Sequence, residues 1–188
     1  QATNWDWFSK KIRNAGRPVK VLSLFAYTGG ATLAAAAAGA HVTHVDASKG
    51  MVTWAKENAV SSGLKDAPIR WLVDDCVKFV EREIRRGNTY DAIIMDPPSY
   101  GRGPKGEIWK IEDMIHPLIK LCTKILSKGA LFFLVNSYTT GLAPAVLTYM
   151  IATELKPWNG HVESQEIGLP VTESGLVLPC GASGRWER

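Results

Sequence analysis

Cysteine is scarce in this chain, and its pattern excludes two classes of stabilisation. The 188 residues hold three cysteines, Cys76, Cys122 and Cys180. They are odd in number, far apart and never in a C-x-x-C pair, which excludes a disulfide scaffold and a cysteine zinc site. Free thiols suit a reducing compartment, so a cytoplasmic location is expected. The four histidines, His41, His44, His116 and His161, show no metal-ligand spacing, and no metal is expected. Long hydrophobic runs are also missing. The longest low-charge stretch of helical character, Ala31 to Ala40, is too short and too alanine-rich to span a bilayer, so no membrane association is expected. No signal peptide is visible. There is neither G-x-G-x-x-G nor a Walker A sequence, which argues against a bound pyrophosphate. Nor is one sign of charge in marked excess. The 22 Lys+Arg and 18 Asp+Glu leave +4, mildly basic, as fits either an anionic partner or an ordinary solvated surface.

What is present is a globular composition, 46% hydrophobic and 21% charged. The length fits one domain with a sizeable core. With no internal repeat and no linker, residues 1–188 read as a single domain. Its first 17 residues read as a helix leading in. The start at Gln1, without an initiator Met, suggests the C-terminal part of a longer protein.

Short apolar runs alternate with helical patterns, which predicts a doubly wound α/β fold with a mostly parallel sheet. Strands are expected at Val19 to Phe25, Val42 to Asp46, Ile69 to Val73, Tyr90 to Met95 and Ala130 to Asn136. Helices are expected at Ala31 to Ala38, Lys49 to Ser62, Val77 to Arg86, Trp109 to Leu126 and Ala143 to Leu155. Gly39, Gly63 and Gly87 act as stops. Gly101 to Gly106 reads as a Gly-rich loop. Val162 to Ile167 and Leu176 to Leu178 read as a C-terminal antiparallel hairpin, giving seven strands in all.

Ligands of such sheets sit beyond the carboxyl ends of the strands. Three features converge there. After the first strand, Ala26-Tyr27-Thr28-Gly29-Gly30 forms a turn in which two bare glycines allow close backbone approach to a ligand. At the end of the second, Asp46 lies near the spacing at which an acid reaches ribose hydroxyls, with capping of the next helix as the competing role and Ser48 as a rival cap. After the third, Asp74-Asp75 either caps a helix or accepts an adenine amine, with Asp75 preferred and the Cys76 N–H able to donate to the ring. A ligand with an adenosine and no phosphates fits best.

The most specific string is Asp96-Pro97-Pro98-Ser99-Tyr100. Two prolines fix the backbone and remove two N–H donors, leaving rigid carbonyls. Asp96 adds an acceptor and Tyr100 a ring able to stack on a base. The arrangement suits a planar target bearing an N–H.

In order and spacing, Val21 to Ala31, Val45-Asp46-Ala47-Ser48-Lys49, Asp74-Asp75 and Asp96 to Tyr100 resemble the class I S-adenosylmethionine (SAM)-dependent methyltransferases. The likeness is closest to the RlmI/RlmK-like branch, which methylates bases of 23S ribosomal RNA. It covers Val19 to Ser137. It implies SAM as cofactor, S-adenosylhomocysteine as product and ribosomal RNA as partner. It places Phe25, Ala26, Tyr27, Thr28, Gly29 and Gly30 at the methionine moiety. Asp46, with Ala47 and Ser48, falls at the ribose, Asp75 and Cys76 at the adenine, and Asp96 on the sulfonium side. Asp96, Pro97, Pro98 and Tyr100 are the expected catalytic residues.

Cytosine-C5 methylation needs a nucleophile, normally a thiolate. In C5 members the cysteine follows strand four or five. Here those places read Pro98-Ser99-Tyr100 and Asn136-Ser137-Tyr138. Cys76 would lie by the adenine, Cys122 in the core, and Cys180 after the last strand, at the edge opposite the cofactor. The expected target is therefore a nitrogen, methylated without a covalent intermediate. A protein-amide or small-molecule methyltransferase, or a non-catalytic SAM- or RNA-binding module, remains the alternative. Arg102, Lys105 and Lys110 are candidate phosphate contacts, whereas Arg82, Arg85 and Arg86 read as a solvated helix end. Trp5, Trp7 and Phe8 either cover the adenosine pocket or pack on a further domain. Oligomeric state is not legible.

Overall fold

The computed structural model describes residues 1–139 and 141–188. In chain order the elements are α1 (Ala2–Asn14), β1 (Lys20–Leu24), α2 (Gly30–Ala37), β2 (His41–Asp46), α3 (Lys49–Ser61), β3 (Ile69–Val73), α4 (Cys76–Arg86), β4 (Ala92–Met95), β5 (Tyr100–Arg102), β6 (Ile108–Lys110), α5 (Ile111–Thr123), β7 (Phe132–Ser137), α6 (Pro144–Leu155), β8 (His161–Pro170) and β9 (Val177–Glu187).

Seven strands form one sheet in the order β3-β2-β1-β4-β7-β9-β8. The first five run parallel, and β9 returns antiparallel between β7 and β8. Strand order reverses between β1 and β4, so a cleft opens beyond their carboxyl ends. The central strands β1, β4 and β7 are largely apolar because both faces are covered. In β1, Leu22 and Leu24 enter one core with α4, α5 and α6. Val21, pointing the other way, enters a second core with α1 and α2. In that second core, alanines of α2 (Ala35, Ala36) let Phe8 and Ile12 of α1 come close. Phe8 stacks on Phe132 of β7 at 5.8 Å, and Trp7 meets the same ring edge-on at 5.3 Å.

Four expectations change here. First, residues 101–106 are not a plain loop: β5 and β6 pair antiparallel around them. Second, Trp109 lies in β6, so the following helix starts only at Ile111. Third, β8 and β9 are much longer than expected and pair from His161↔Glu187 to Pro170↔Val177. Fourth, Cys180 lies inside β9, not after it. Because β9 is antiparallel to β7 and pairs Ala182 with Ser137, its start is at the cofactor edge of the sheet. The expectation that Cys180 sits at the opposite edge is corrected by that register.

Candidate active site

The turn after β1 is under backbone tension. Phe25 (φ 52°) and Tyr27 (φ 49°) both take left-handed conformations, which cost non-glycine residues on the order of 1–3 kcal/mol each. Neighbouring acceptors hold them there. The Phe25 N–H donates to Cys76 Sγ at 3.4 Å, and the Tyr27 N–H to Asp46 Oδ2 at 2.8 Å. Asp46 Oδ1 accepts the Ser48 N–H at 2.8 Å. Asp46 thus ties the β1 and β2 turns together, while Ser48 caps α3 by accepting from Met51. Each carboxylate oxygen of Asp46 retains a second lone pair for a hydroxyl donor.

At both glycines of this turn an added Cβ would meet packed side chains. Gly29 is left-handed (φ +87°), and a Cβ there would lie 3.1 Å from Ala55. At Gly30 a Cβ would come within 2.7 Å of the Trp5 ring. The missing side chain at Gly30 therefore admits Trp5 of α1, and Gly30 and Trp5 both line the smaller of two cavities at this edge. This also locates the three aromatics of α1: Trp7 and Phe8 pack on the sheet, while Trp5 packs on α2 and borders the smaller cavity.

Asp75 caps α4 by accepting the Lys78 N–H at 2.9 Å, and Cys76 is the first helical residue, its N–H lacking an intrahelical acceptor. Asp74 accepts from Asp75 N and pairs with Arg82. Arg86 is likewise paired, with Glu83. Arg85 and Arg86 are exposed, so the basic end of α4 is the solvated helix end that was expected, with Arg82 and Arg86 paired along it.

Two cavities meet at this edge. The larger, about 410 Å³, includes Asp46, Asp75, Cys76, Pro97 and Trp109 in its walls. The smaller, about 190 Å³, includes Ala26, Thr28, Gly30 and Asn136. Phe25, Tyr27 and Asp96 line both. Asp96 Oδ2 accepts from Gln1 Nε2 at 3.0 Å. Its Oδ1 is buried without a partner among the described residues, a costly condition unless a ligand satisfies it. Burial pushes the Asp96 carboxyl up to about 6.

Pro97 is buried and Pro98 exposed. The Pro98 carbonyl accepts Trp109 Nε1–H at 2.7 Å, which engages one of its two lone pairs. The Pro97 carbonyl accepts no internal hydrogen bond among the described residues. Tyr100 is 52% exposed and absent from both cavity walls. In β5 its neighbour Gly101 faces Pro98, and strand alternation turns Tyr100 away. Tyr138, after β7, lines the larger cavity, as Tyr100 does not. Trp109, whose ring lies 4.7 Å from Phe25, completes the wall. Sequence reasoning missed Gln1, Trp109, Asn136 and Tyr138. The apolar-aromatic run of β6 was the one local signal available for Trp109.

Cys122 is in the core, as expected. The Cys180 thiol donates to the Leu178 carbonyl at 3.3 Å and borders a separate depression beside Tyr138. Arg102 lines the larger cavity. No group of three or more metal-ligating side chains occurs among the described residues, and no described helix is long and apolar enough to cross a membrane.

Known proteins resemble this chain in sequence and fold. A SAM-dependent methyltransferase from Agrobacterium tumefaciens superposes with a TM-score of 0.94 at 43% identity, covering the whole chain and 62% of that protein. Ribosomal RNA large subunit methyltransferase K/L from Shewanella frigidimarina is 34% identical over 118 residues, which are 60% of this chain and 16% of that protein. Ribosomal RNA large subunit methyltransferase K from Neisseria meningitidis is 32% identical over 127 residues, 66% of this chain and 36% of that protein. The chain thus spans under two thirds of each of these relatives. The profile of the S-adenosylmethionine-dependent methyltransferases matches residues 6–166, and the chain belongs to that family.

Proposed function

We propose that this domain methylates a nitrogen of a base in large-subunit ribosomal RNA, using SAM and no covalent enzyme–RNA intermediate. The observation that carries the reading is Asp96 at the junction of two cavities, with a buried acceptor, Oδ1, left open. The residues fit the cofactor. Asp46 and Asp75 offer acceptors for ribose hydroxyls and an adenine amine in the larger cavity. The smaller cavity, walled by the β1 turn, takes the amino-acid end. Bound there, SAM supplies an activated methyl group, so the protein's task is chiefly orientation. Asp96 Oδ1 and the Pro97 carbonyl are two acceptors on one rigid segment, a match for the N–H groups of a planar base edge. Tyr138 provides an aromatic surface beside them.

The RNA assignment rests on the names of the curated relatives and on exposed cations near the cavity. Arg102, Lys105 and Lys110 are exposed on the β5–β6 hairpin, where a phosphate backbone can be held. The non-covalent assignment rests on the thiols. Cys76 and Cys122 are buried and pushed far up by burial. Cys180 reaches the correct edge but turns its thiol to Leu178.

The test is to incubate the full-length protein with methyl-labelled SAM and with RNA, protein and metabolite fractions from cells lacking its gene. Label should enter RNA alone and vanish with Asp96→Ala. Label in protein or metabolites would overturn the substrate assignment. Tight SAM binding with no transfer to any fraction would leave a binding module.

A further inference from the structure

Five polar side chains, distant in sequence, form one continuous line from the back of the sheet into the site. Arg185 of β9 donates from Nε and Nη2 to Asn4 Oδ1, at 2.9 and 2.6 Å. Asn4 Nδ2 donates to Asn136 Oδ1 at 3.0 Å. Asn136 Nδ2 donates to Gln1 Oε1 at 3.1 Å. Gln1 Nε2 donates to Asp96 Oδ2 at 3.0 Å and also to the Tyr138 hydroxyl. Asn4, Asn136 and Arg185 are buried.

The direction of every bond is dictated by the two ends. A guanidinium only donates and a carboxylate only accepts, so all three carboxamides between them must face the same way. Such a chain is polarised from cation to anion, and each bond strengthens the next. Trp7 holds the cationic end, with the Arg185 guanidinium 4.8 Å from its ring, and Glu163 lies 3.9 Å away.

We infer that Gln1, Asn136 and Asn4 are positioning residues that carry a one-way hydrogen-bond chain from Arg185 to Asp96, pinning Oδ2 and leaving Oδ1 as the acceptor for the substrate. Residues 1–4 are then part of the active site, not just a lead-in to the fold. The chain favours the ionised carboxylate and so opposes the effect of burial at Asp96. The α-amino group of Gln1 also faces Asp96 and favours its charged form, and the other titratable groups lining the same cavity are Tyr27, Asp46, Asp75, Cys76, Arg102 and Tyr138. None of them is hydrogen-bonded to Asp96 among the described residues.

The acceptor role of Oδ1 rests on the methyl-transfer reading, but the chain itself can be tested without it. The ¹³C carboxyl signal of Asp96, identified by its loss in Asp96→Asn, is titrated in the full-length ligand-free protein. Gln1→Leu and Asn136→Leu should each raise the titration midpoint by about one pH unit, and Arg185→Met should move it the same way. Gln1 lies at the partly exposed start of α1, so Gln1→Leu tests the idea even where the buried variants do not fold. A midpoint unchanged in Gln1→Leu overturns the inference. A shifted midpoint in a protein that methylates no RNA would keep the chain and remove the RNA reading.

Discussion

At the scale of single residues, the site stores strain where the ligand must approach. Phe25 and Tyr27 hold left-handed backbone that no glycine relieves, and Asp46 and Cys76 keep them there. Tyr27 is 59% exposed, so its ring adds little packing in the ligand-free protein. Tyr27→Gly should therefore raise stability by about 1 kcal/mol while weakening SAM binding, because Tyr27 lines both cavities. Chemical denaturation and calorimetric titration check the two halves. A variant that loses stability and keeps SAM affinity contradicts the assignment. Asp46, Asp75 and Asp96 were legible because each stands at the end of an apolar strand in a parallel sheet, where side chains converge. Gln1, Asn4 and Asn136 were not. Their bonds to Asp96, Arg185 and one another span 95 to 181 residues, and no local pattern marks an amide that will meet a carboxylate so far along the chain.

At the scale of elements, periodicity and stops located the parallel strands well, because apolar runs bounded by Gly or Pro have few other readings. The β5–β6 hairpin escaped because glycines at 101, 103 and 106 read as loop and Trp109 reads as the start of an apolar helix. Pairing between Gly101 and Trp109 supplies what propensity does not. The terminal hairpin was recognised but drawn too short, and that error moved Cys180 to the wrong edge. The pairing of α1 with α2 was also hidden. Gly30 reads as a ligand-facing glycine, and only packing reveals that its empty side faces Trp5. Gly30→Ala should cost about 1–3 kcal/mol, since the Trp5 ring is 2.7 Å from the added methyl group. Pairing it with Trp5→Leu should recover part of the loss. Additive losses in the double variant, measured by thermal unfolding, would show that the two residues do not share the contact.

At the scale of the whole molecule, two buried groups oppose each other in their response to acid. Burial lowers His44 from 6.5 to about 4 and raises Asp96 from 3.8 to about 6. Unfolded His44 takes a proton below about 6.5 while folded His44 does not, so its contribution to stability falls as pH drops through that window. Folded Asp96 takes a proton below about 6 while the unfolded carboxylate stays charged to about 4, so its contribution rises over nearly the same window. Each effect is on the order of 3 kcal/mol, and together they nearly cancel. Asp96→Asn should therefore be more stable than the native protein at pH 7 and lose that advantage as pH falls to 4. Denaturation curves that stay parallel between the two proteins would show that Asp96 is not held in this environment. The same carboxyl gives catalysis an acid limb, because only the ionised form accepts fully from a base.

In the proposed reaction Asp96 orients a nitrogen of an RNA base and no thiol attacks the base. Nucleoside mass spectrometry of large-subunit ribosomal RNA tests it most directly, in a strain lacking the gene and carrying the native protein, Asp96→Asn or Cys180→Ser. One N-methylated nucleoside should be restored by the native protein and by Cys180→Ser but not by Asp96→Asn. A C-methylated pyrimidine that depends on Cys180 would contradict it.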